Sequence, residues 1–294
     1  MVLFVVLAHR QRDCLIDLIN NLQAYCRNSR IVVYNGGTDL SLIEGLASES
    51  VMPFPHARPV TYGRLLHLLE VFEWVEDANL AFDYLVSLDA DMLLIKDGFE
   101  DYLDRNMSAE YWGVGLTVAP VGTVGWSNEP YFAQEFEAVW HPLFQSNVLA
   151  RVFNPGQVFR RSAVHKIVGY IRSHRQAVDR VIEESRAFAV EEVLYPSLAL
   201  HSGCKCDRMP RSNTRLTLNR FLAVAWHRRQ VDLQMIRYLL WGVKGSIRDK
   251  VPFSPREVEE FIRDEDSFLL HPVPLNIDDP VRKMIRTRVE ALRR

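Results

Sequence analysis

Asp89-Ala90-Asp91 follows the apolar run Tyr84 to Leu88 and precedes a second one, Met92 to Ile95. Two carboxylates two residues apart at a strand end can lean into the same space, and their hard oxygens suit Mg²⁺ or Mn²⁺. Such ions keep water ligands and bridge phosphate oxygens, so a phosphate-bearing substrate is the expectation. A helix cap beside a solvated Asp would give the same triplet. The context favours a ligand site, because ligands of open α/β sheets bind beyond the carboxyl ends of the strands.

A second acidic pair, Glu191-Glu192, precedes the apolar stretch V-L-Y-P-S-L-A. A carboxylate at a helix start can act as a base, and acids are also favoured there by the helix dipole alone. His201, Cys204 and Cys206 in H-S-G-C-K-C invite a zinc reading, which is weak because a structural zinc site needs four ligands and no second cluster stands nearby.

The elements that must position these groups can be read from periodicity. Val2 to Ala8 is a continuous apolar run, as in a strand covered on both faces. It lacks a preceding basic region, so it does not read as a signal peptide. Leu15, Leu18, Ile19 and Leu22 then recur at helical spacing, and Ile31 to Tyr34 forms a second strand that stops at Asn35-Gly36-Gly37. Strand, helix, strand implies a βαβ unit in a parallel sheet. Leu65 to Val75 predicts a further helix and Tyr84 to Leu88 a further strand. Three loops therefore face the ligand edge: His9 to Asp13, Asn35 to Asp39 and Asp89 to Asp91. Tyr111 to Pro155 has poor periodicity and reads as an irregular, acceptor-side segment. Helices are predicted over Ser162 to Tyr170, Gln176 to Phe188, from Glu191, over Arg220 to Leu240, and over Val281 to Leu292.

With these elements in place, the chain resembles the GT-A glycosyltransferases. The resemblance rests on F-V-V-L-A-H-R, the N-G-G turn, Y-G-R-L-L-H-L-L and Y-L-V-S-L-D-A-D-M, and covers roughly the first 200 residues. It implies an α/β, Rossmann-like, mostly parallel sheet flanked by helices, followed by a helical, basic C-terminal extension. It also implies a Mn²⁺ or Mg²⁺ ion bridging a nucleotide-sugar diphosphate, with Asp91 a direct ligand and Asp89 reaching ribose or metal. His9, Arg10, Asn35 and Asp39 would line the nucleoside pocket, and Gly63 and Arg64 would begin the helix over the donor. Many relatives carry an acid where Asn35 stands. Asn154-Pro155-Gly156-Gln157 resembles a donor and acceptor loop of the inverting branch that includes the core-2 type N-acetylglucosaminyltransferases, and V-L-Y-P-S-L-A resembles the segment after its base. That selects Glu192 ahead of Glu191 as the catalytic carboxylate and implies inversion of the anomeric carbon, although a D-x-D metal site departs from the core-2 type itself. Several metal-dependent relatives close the site with a C-terminal His that also binds metal, for which His271 in L-L-H-P-V is the first choice and His227 the second.

Composition bounds the rest. The chain has 294 residues, 48% hydrophobic and 24% charged, which excludes disordered and disulfide-scaffold classes. Its net charge of −2 divides into −12 over residues 1–150 and +10 over 151–294. The acidic half holds the D-A-D turn, whereas Lys205, Arg208, Arg211, Arg215, Arg220, Arg228 and Arg229 could hold a departing diphosphate. Two complementary walls of one cleft are therefore expected. Four cysteines point to a reducing compartment. No apolar stretch approaches the roughly 20 residues of a spanning helix, so a soluble, cytoplasmic protein is expected. The run Arg220 to Arg229 offers peripheral contact with anionic lipid. Nucleic-acid binding is disfavoured by the acidic first half. Trp112, Trp126, Tyr131 and Trp140 could form an acceptor surface or a core, and Trp126 is the favoured acceptor contact.

The expected organisation is a catalytic unit over 1–205, with its donor part at 1–110 and its acceptor side at 111–205, and an extension over 206–294 that closes the site. The expected reaction is transfer of a hexosyl or N-acetylhexosaminyl group from a UDP-sugar to a glycan, lipid-linked or small-molecule acceptor. A nucleotidyltransferase would need a Gly-rich phosphate loop where A-H-R-Q-R-D stands, and a catalytically inactive sugar-nucleotide or glycan-binding protein is the rival outside the enzymes.

Overall fold

The computed structural model of the chain describes residues 1–61, 63–122, 130–187, 189–210, 213–214 and 253–293. The elements are β1 (Val2–Ala8), α1 (Arg12–Tyr25), β2 (Ser29–Asn35), β3 (Val51–Pro53), α2 (His67–Asp77), β4 (Tyr84–Asp89), β5 (Leu93–Leu94), α3 (Phe99–Asn106) and β6 (Tyr111–Pro120). There follow α4 (Pro130–Glu135), a π-helical turn (Phe136–Trp140), α5 (His141–Phe144), β7 (Val148–Arg160), α6 (Arg161–Ser173), α7 (Arg175–Glu184) and α8 (Glu191–His201). The last are β8 (Cys206–Arg208), β9 (Asn213–Thr214), α9 (Pro255–Arg263), β10 (Leu269–His271) and α10 (Pro280–Leu292).

Seven strands form one mixed sheet in the order β3-β2-β1-β4-β7-β6-β8. β3, β2, β1 and β4 run parallel to one another, β7 is antiparallel to both β4 and β6, and β8 is parallel to β6. The all-apolar first strand has a direct cause. Val2, Phe4, Val6 and Ala8 enter a core on one face, while Leu3, Val5 and Leu7 enter a second core on the other. A strand covered on both faces cannot alternate apolar with polar residues. Each fully buried Val, Leu or Phe of this strand contributes roughly 1.5–3 kcal/mol.

The first core is roofed by α1, α3 and α10, and the second by α2, α6 and α8. The expected α/β architecture is present. Phe253, Val258, Leu270, Val281 and Ile285 share the first core with Val2 and Phe4, so the described parts of the C-terminal extension pack directly on the sheet.

The middle of the chain corrects one expectation. Tyr111 to Pro155 is not irregular, because it supplies β6 and most of β7, a long antiparallel pair. Its periodicity is broken by register shifts between Trp112 and Val114 and between Val114 and Thr117, which re-aim successive side chains. Gly113 is required there, since a Cβ would lie 2.3 Å from Val152 Cγ1. Trp112 and Trp140 are buried in the two cores. Trp126, His227 and the expected helix over Arg220 to Leu240 lie outside the described residues, as do Arg211, Arg215, Arg220, Arg228 and Arg229. Among the described residues no helix is long and apolar enough to cross a membrane.

Candidate functional site

The parallel register brings three strand ends level. Ala8 lies beside Asn35, and Leu7 beside Asp89, so the loops after β1, β2 and β4 leave the same edge of the sheet. His9 and Arg10 are exposed at the first of these ends. Asn35 is buried and builds its own turn: its Oδ1 accepts from Gly37 N at 3.0 Å, and its Nδ2 donates to the Asp39 carbonyl at 2.9 Å. The Asp39 carboxylate accepts from Ser41 N and Oγ at 2.9 and 2.7 Å, which caps the short helical turn Leu40–Leu42. Both glycines pack closely, Gly37 against the first loop and Gly36 against the side chains of Val60 and Leu7. A Cβ on Gly37 would stand 2.6 Å from the His9 carbonyl oxygen, and one on Gly36 would stand 2.7 Å from Val60 Cγ2.

The D-A-D turn begins where β4 ends. Ala90 N donates to the Leu7 carbonyl and Met92 N to that of Asp89, each at 3.0 Å. The chain then enters β5, which leaves the main sheet and pairs antiparallel with β10, Leu93 opposite Leu270 and Leu94 opposite Leu269. That register carries the next residue of β10, His271, back to the turn. His271 Nε2 lies 3.5 Å from Asp91 Oδ1, and Val273 N donates to the Asp91 carbonyl at 2.7 Å. Ligand atoms of Asp89, Asp91 and His271 all lie within 4.8 Å of one another. Asp91 is 7% exposed and His271 1%, while Asp89 is half-buried. The Phe153 ring, 5.5 Å from the imidazole between centroids, backs His271 from β7.

Two carboxylates and one imidazole fit a divalent cation. Three protein ligands leave other positions for water and phosphate oxygens, and the imidazole tips a hard-oxygen set toward Mn²⁺. No other group of metal-ligand residues forms among the described residues, and H-S-G-C-K-C is engaged otherwise. His201 Nε2 meets the Val148 carbonyl at 2.9 Å, and Cys204 and Cys206 are free thiols pushed up in pKa by burial.

The acidic pair sits at the start of α8, joined to the residues before α2. Ala189 N donates to the Gly63 carbonyl at 2.8 Å, Leu65 N donates to Glu191 Oε2 at 3.1 Å, and Tyr195 Oη donates to the Leu65 carbonyl. Gly63 takes a positive φ of 78° and Ala189 one of 55° in making this junction. The Arg64 guanidinium donates to the carbonyls of Ile182 and Ser185, fixing the end of α7. Glu191 is 3% exposed, and burial pushes its pKa up to about 7, with the Asp89 charge raising it further and the Leu65 N–H and Arg64 opposing. Glu192 is half-buried one residue on, its amide donating to the Ala189 carbonyl at 2.9 Å.

Gly156, at φ 83°, faces Met92 Cε and Leu269 Cδ1, each 3.6 Å from where its Cβ would be, so its backbone flanks the D-A-D turn and β10. Gln157 is fully buried. Its Oε1 accepts from Tyr111 Oη at 2.7 Å, and its Nε2 donates to Asn154 O and Oδ1, both at 3.0 Å. Lys205 and Arg208 stand at the β8 edge of the sheet, on the far side of β6 and β7 from β4. Asn21, Asp17 and Arg282, which bond to Leu94, to each other and to Pro274 in the segments that carry Asp91 and His271, have no motif by which sequence could single them out.

Fold and site together define an α/β protein with a carboxylate and imidazole cluster at the carboxyl edge of its sheet. No protein-family model matches the sequence, and no curated protein matches it. Two similar solved structures are a galactosyltransferase, LgtC, in complex with donor and acceptor sugar analogs, and an active-site mutant of LgtC. The first is 9% identical, over 98% of this chain and 95% of that one, with a TM-score of 0.42. The second is 12% identical, over 92% and 97%, with a TM-score of 0.42. Likeness at this level says nothing of substrate or reaction.

Proposed function

We propose that the chain is a metal-dependent glycosyltransferase that moves a sugar from a nucleotide-sugar donor to an acceptor hydroxyl. The observation that carries the proposal is the meeting of Asp89, Asp91 and His271 from opposite halves of the chain. A bound Mn²⁺ would offset the charge that grows on the leaving diphosphate. His9, Arg10, Asn35 and Asp39 surround the loops where the nucleoside would lie, with UDP proposed on the family resemblance. Residues 1–110 then hold the donor, 111–205 form the acceptor side, and the extension closes the site by supplying His271.

Glu192 is proposed as the acceptor base. What supports this is its place in the first turn of α8, next to Glu191, whose carboxyl feels the charges of Asp89 and Arg64. An inverting course is not part of the proposal, because neither the site nor the similar structures support it.

The test is a thermal-shift and turnover screen of UDP and sugar nucleotides with and without Mn²⁺. A nucleoside diphosphate at 100 times its Kd stabilises the folded chain by about 2.7 kcal/mol, a rise on the order of 5 °C, and the rise should require Mn²⁺. Asp91→Ala should remove the Mn²⁺-dependent rise and all transfer, while Glu192→Gln should keep the rise and lose transfer. Full activity in Asp91→Ala refutes the metal assignment. Wild-type protein that binds the donor yet neither transfers nor hydrolyses it is a binding protein.

A further inference from the structure

His271 and Asp91 come from distant segments joined by the β5–β10 pairing and by Val273 N on the Asp91 carbonyl. One face of α1 holds both segments from the other side, at Leu94 directly and at Pro274 through Arg282. Asn21 is buried and its amide makes with Leu94 the two bonds that a neighbouring strand would make. Nδ2 donates to the Leu94 carbonyl at 2.8 Å, and Oδ1 accepts from Leu94 N at 2.9 Å. It thereby covers the outer edge of β5, whose other edge is paired to β10. One helical turn earlier, Asp17 accepts from Arg282 Nη1 at 2.9 Å. Arg282 also donates from Nη1 to the Cys14 carbonyl and from Nε to the Pro274 carbonyl, each at 3.3 Å. Pro274 lies three residues beyond His271. Arg286 extends the grip, reaching Asp17 and the Ile277 carbonyl.

Stability alone is a poor reason for this arrangement. Arg282 is 0% exposed on a helix face otherwise made of Val281, Ile285 and Val289. Taking a guanidinium and a carboxylate out of water costs several kcal/mol, and apolar residues of similar volume often serve equally well. What an apolar side chain could not do is bind α1 and the carbonyl behind the His271 strand at once.

We infer that Arg282 is a positioning residue of the metal centre: paired with Asp17, it fixes the His271–Pro274 segment on α1, while Asn21 fixes β5 and with it Asp91. The inference rests on the metal reading of Asp89, Asp91 and His271. Removing a group that orients a metal ligand typically weakens the metal by about 10- to 100-fold.

The experiment measures Mn²⁺ binding alone, by electron paramagnetic resonance, on the full chain. Alongside it, spin-echo modulation reports the nitrogen of a directly bound imidazole. The double variant Asp17→Leu with Arg282→Met replaces the ion pair by apolar side chains. It should melt cooperatively yet bind Mn²⁺ about 10- to 100-fold more weakly and lose the nitrogen signal. Should it fail to fold, Arg282→Lys decides. Its ammonium can replace Nη1 on Asp17 and Cys14 but leaves no Nε donor for the Pro274 carbonyl, so affinity and nitrogen signal should fall there too. Wild-type Mn²⁺ affinity with the nitrogen signal intact in a folded variant overturns the inference and leaves the metal reading standing. Wild-type protein that binds no Mn²⁺ overturns both.

Discussion

Replacing Glu191 by Gln should change how the stability of the protein depends on pH. Burial raises the Glu191 pKa from 4.5 to about 7, and the negative charge of Asp89 adds to the rise. The unfolded chain loses this proton near its ordinary pKa, whereas the folded chain keeps it until about pH 7. The proton therefore stabilises the fold fully below the unfolded pKa, and that contribution is lost as pH climbs through the folded one. The difference in pKa corresponds to roughly 3 kcal/mol. Gln keeps an oxygen for Leu65 N and carries no titrating proton. Urea unfolding of both proteins from pH 4 to pH 8, followed by tryptophan fluorescence with chelator present, isolates the effect as a difference.

The wild type should lose about 3 kcal/mol relative to Glu191→Gln across that range. At a urea slope of about 3 kcal/mol per molar, that is roughly a 1 M shift in the relative midpoints. Adding Mn²⁺ should shrink the difference, because a dication beside Asp89 favours the ionised carboxyl. A difference between the two proteins that stays flat with pH would refute the reasoning, since it would mean that the carboxyl keeps its water.

Two other substitutions probe the loops. Gly37→Ala puts a methyl 2.6 Å from the His9 carbonyl and should cost about 1–3 kcal/mol, read as a lower urea midpoint, with weaker UDP binding because the first two loops move apart; wild-type values for both would remove the tight turn from the site. Arg64→Met leaves the Ile182 and Ser185 carbonyls without its charge and should cost about 2–3 kcal/mol. Because Arg64 also holds the Glu191 pKa down, the fall in stability with pH should begin at the same pH in that variant but run further toward high pH, and an unchanged curve would separate the two residues.

How much of this was legible in the sequence depends on whether the signal was local. The β1–α1–β2 unit and the D-A-D turn were legible because each is written in consecutive residues: apolar strands, a glycine turn, a carboxylate pair at a strand end. β6 and β7 were not, since Gly113, Gly115 and Pro155 interrupt the alternation at the bulges that bend the pair. His271 could be named through the resemblance, but its place could not, because the pairing of Leu269–His271 with Leu93–Leu94 leaves no trace in either segment alone. Asp17 and Asn21 stand in no sequence motif, and only the packed structure shows them buried against Arg282 and Leu94.

Charge shows the same limit. The −12 and +10 halves suggested two walls of a cleft, yet much of the described opposition is spent between helices. Glu73, Glu76 and Asp77 of α2 pair with Arg175, Arg161 and Arg172 of α6 and α7, and Asp17 of α1 pairs with Arg282 of α10. The acidic half is thus bound to the basic half along the faces of the sheet, through a buried pair at Asp17 and Arg282 and through more exposed pairs on α2 that are worth little each. Among the described residues, Asp91 meets the imidazole of His271, at 3.5 Å. Among the described residues, the meeting of Asp89, Asp91 and His271, more than the balance of charges, marks the D-A-D turn as a place that could hold a divalent ion.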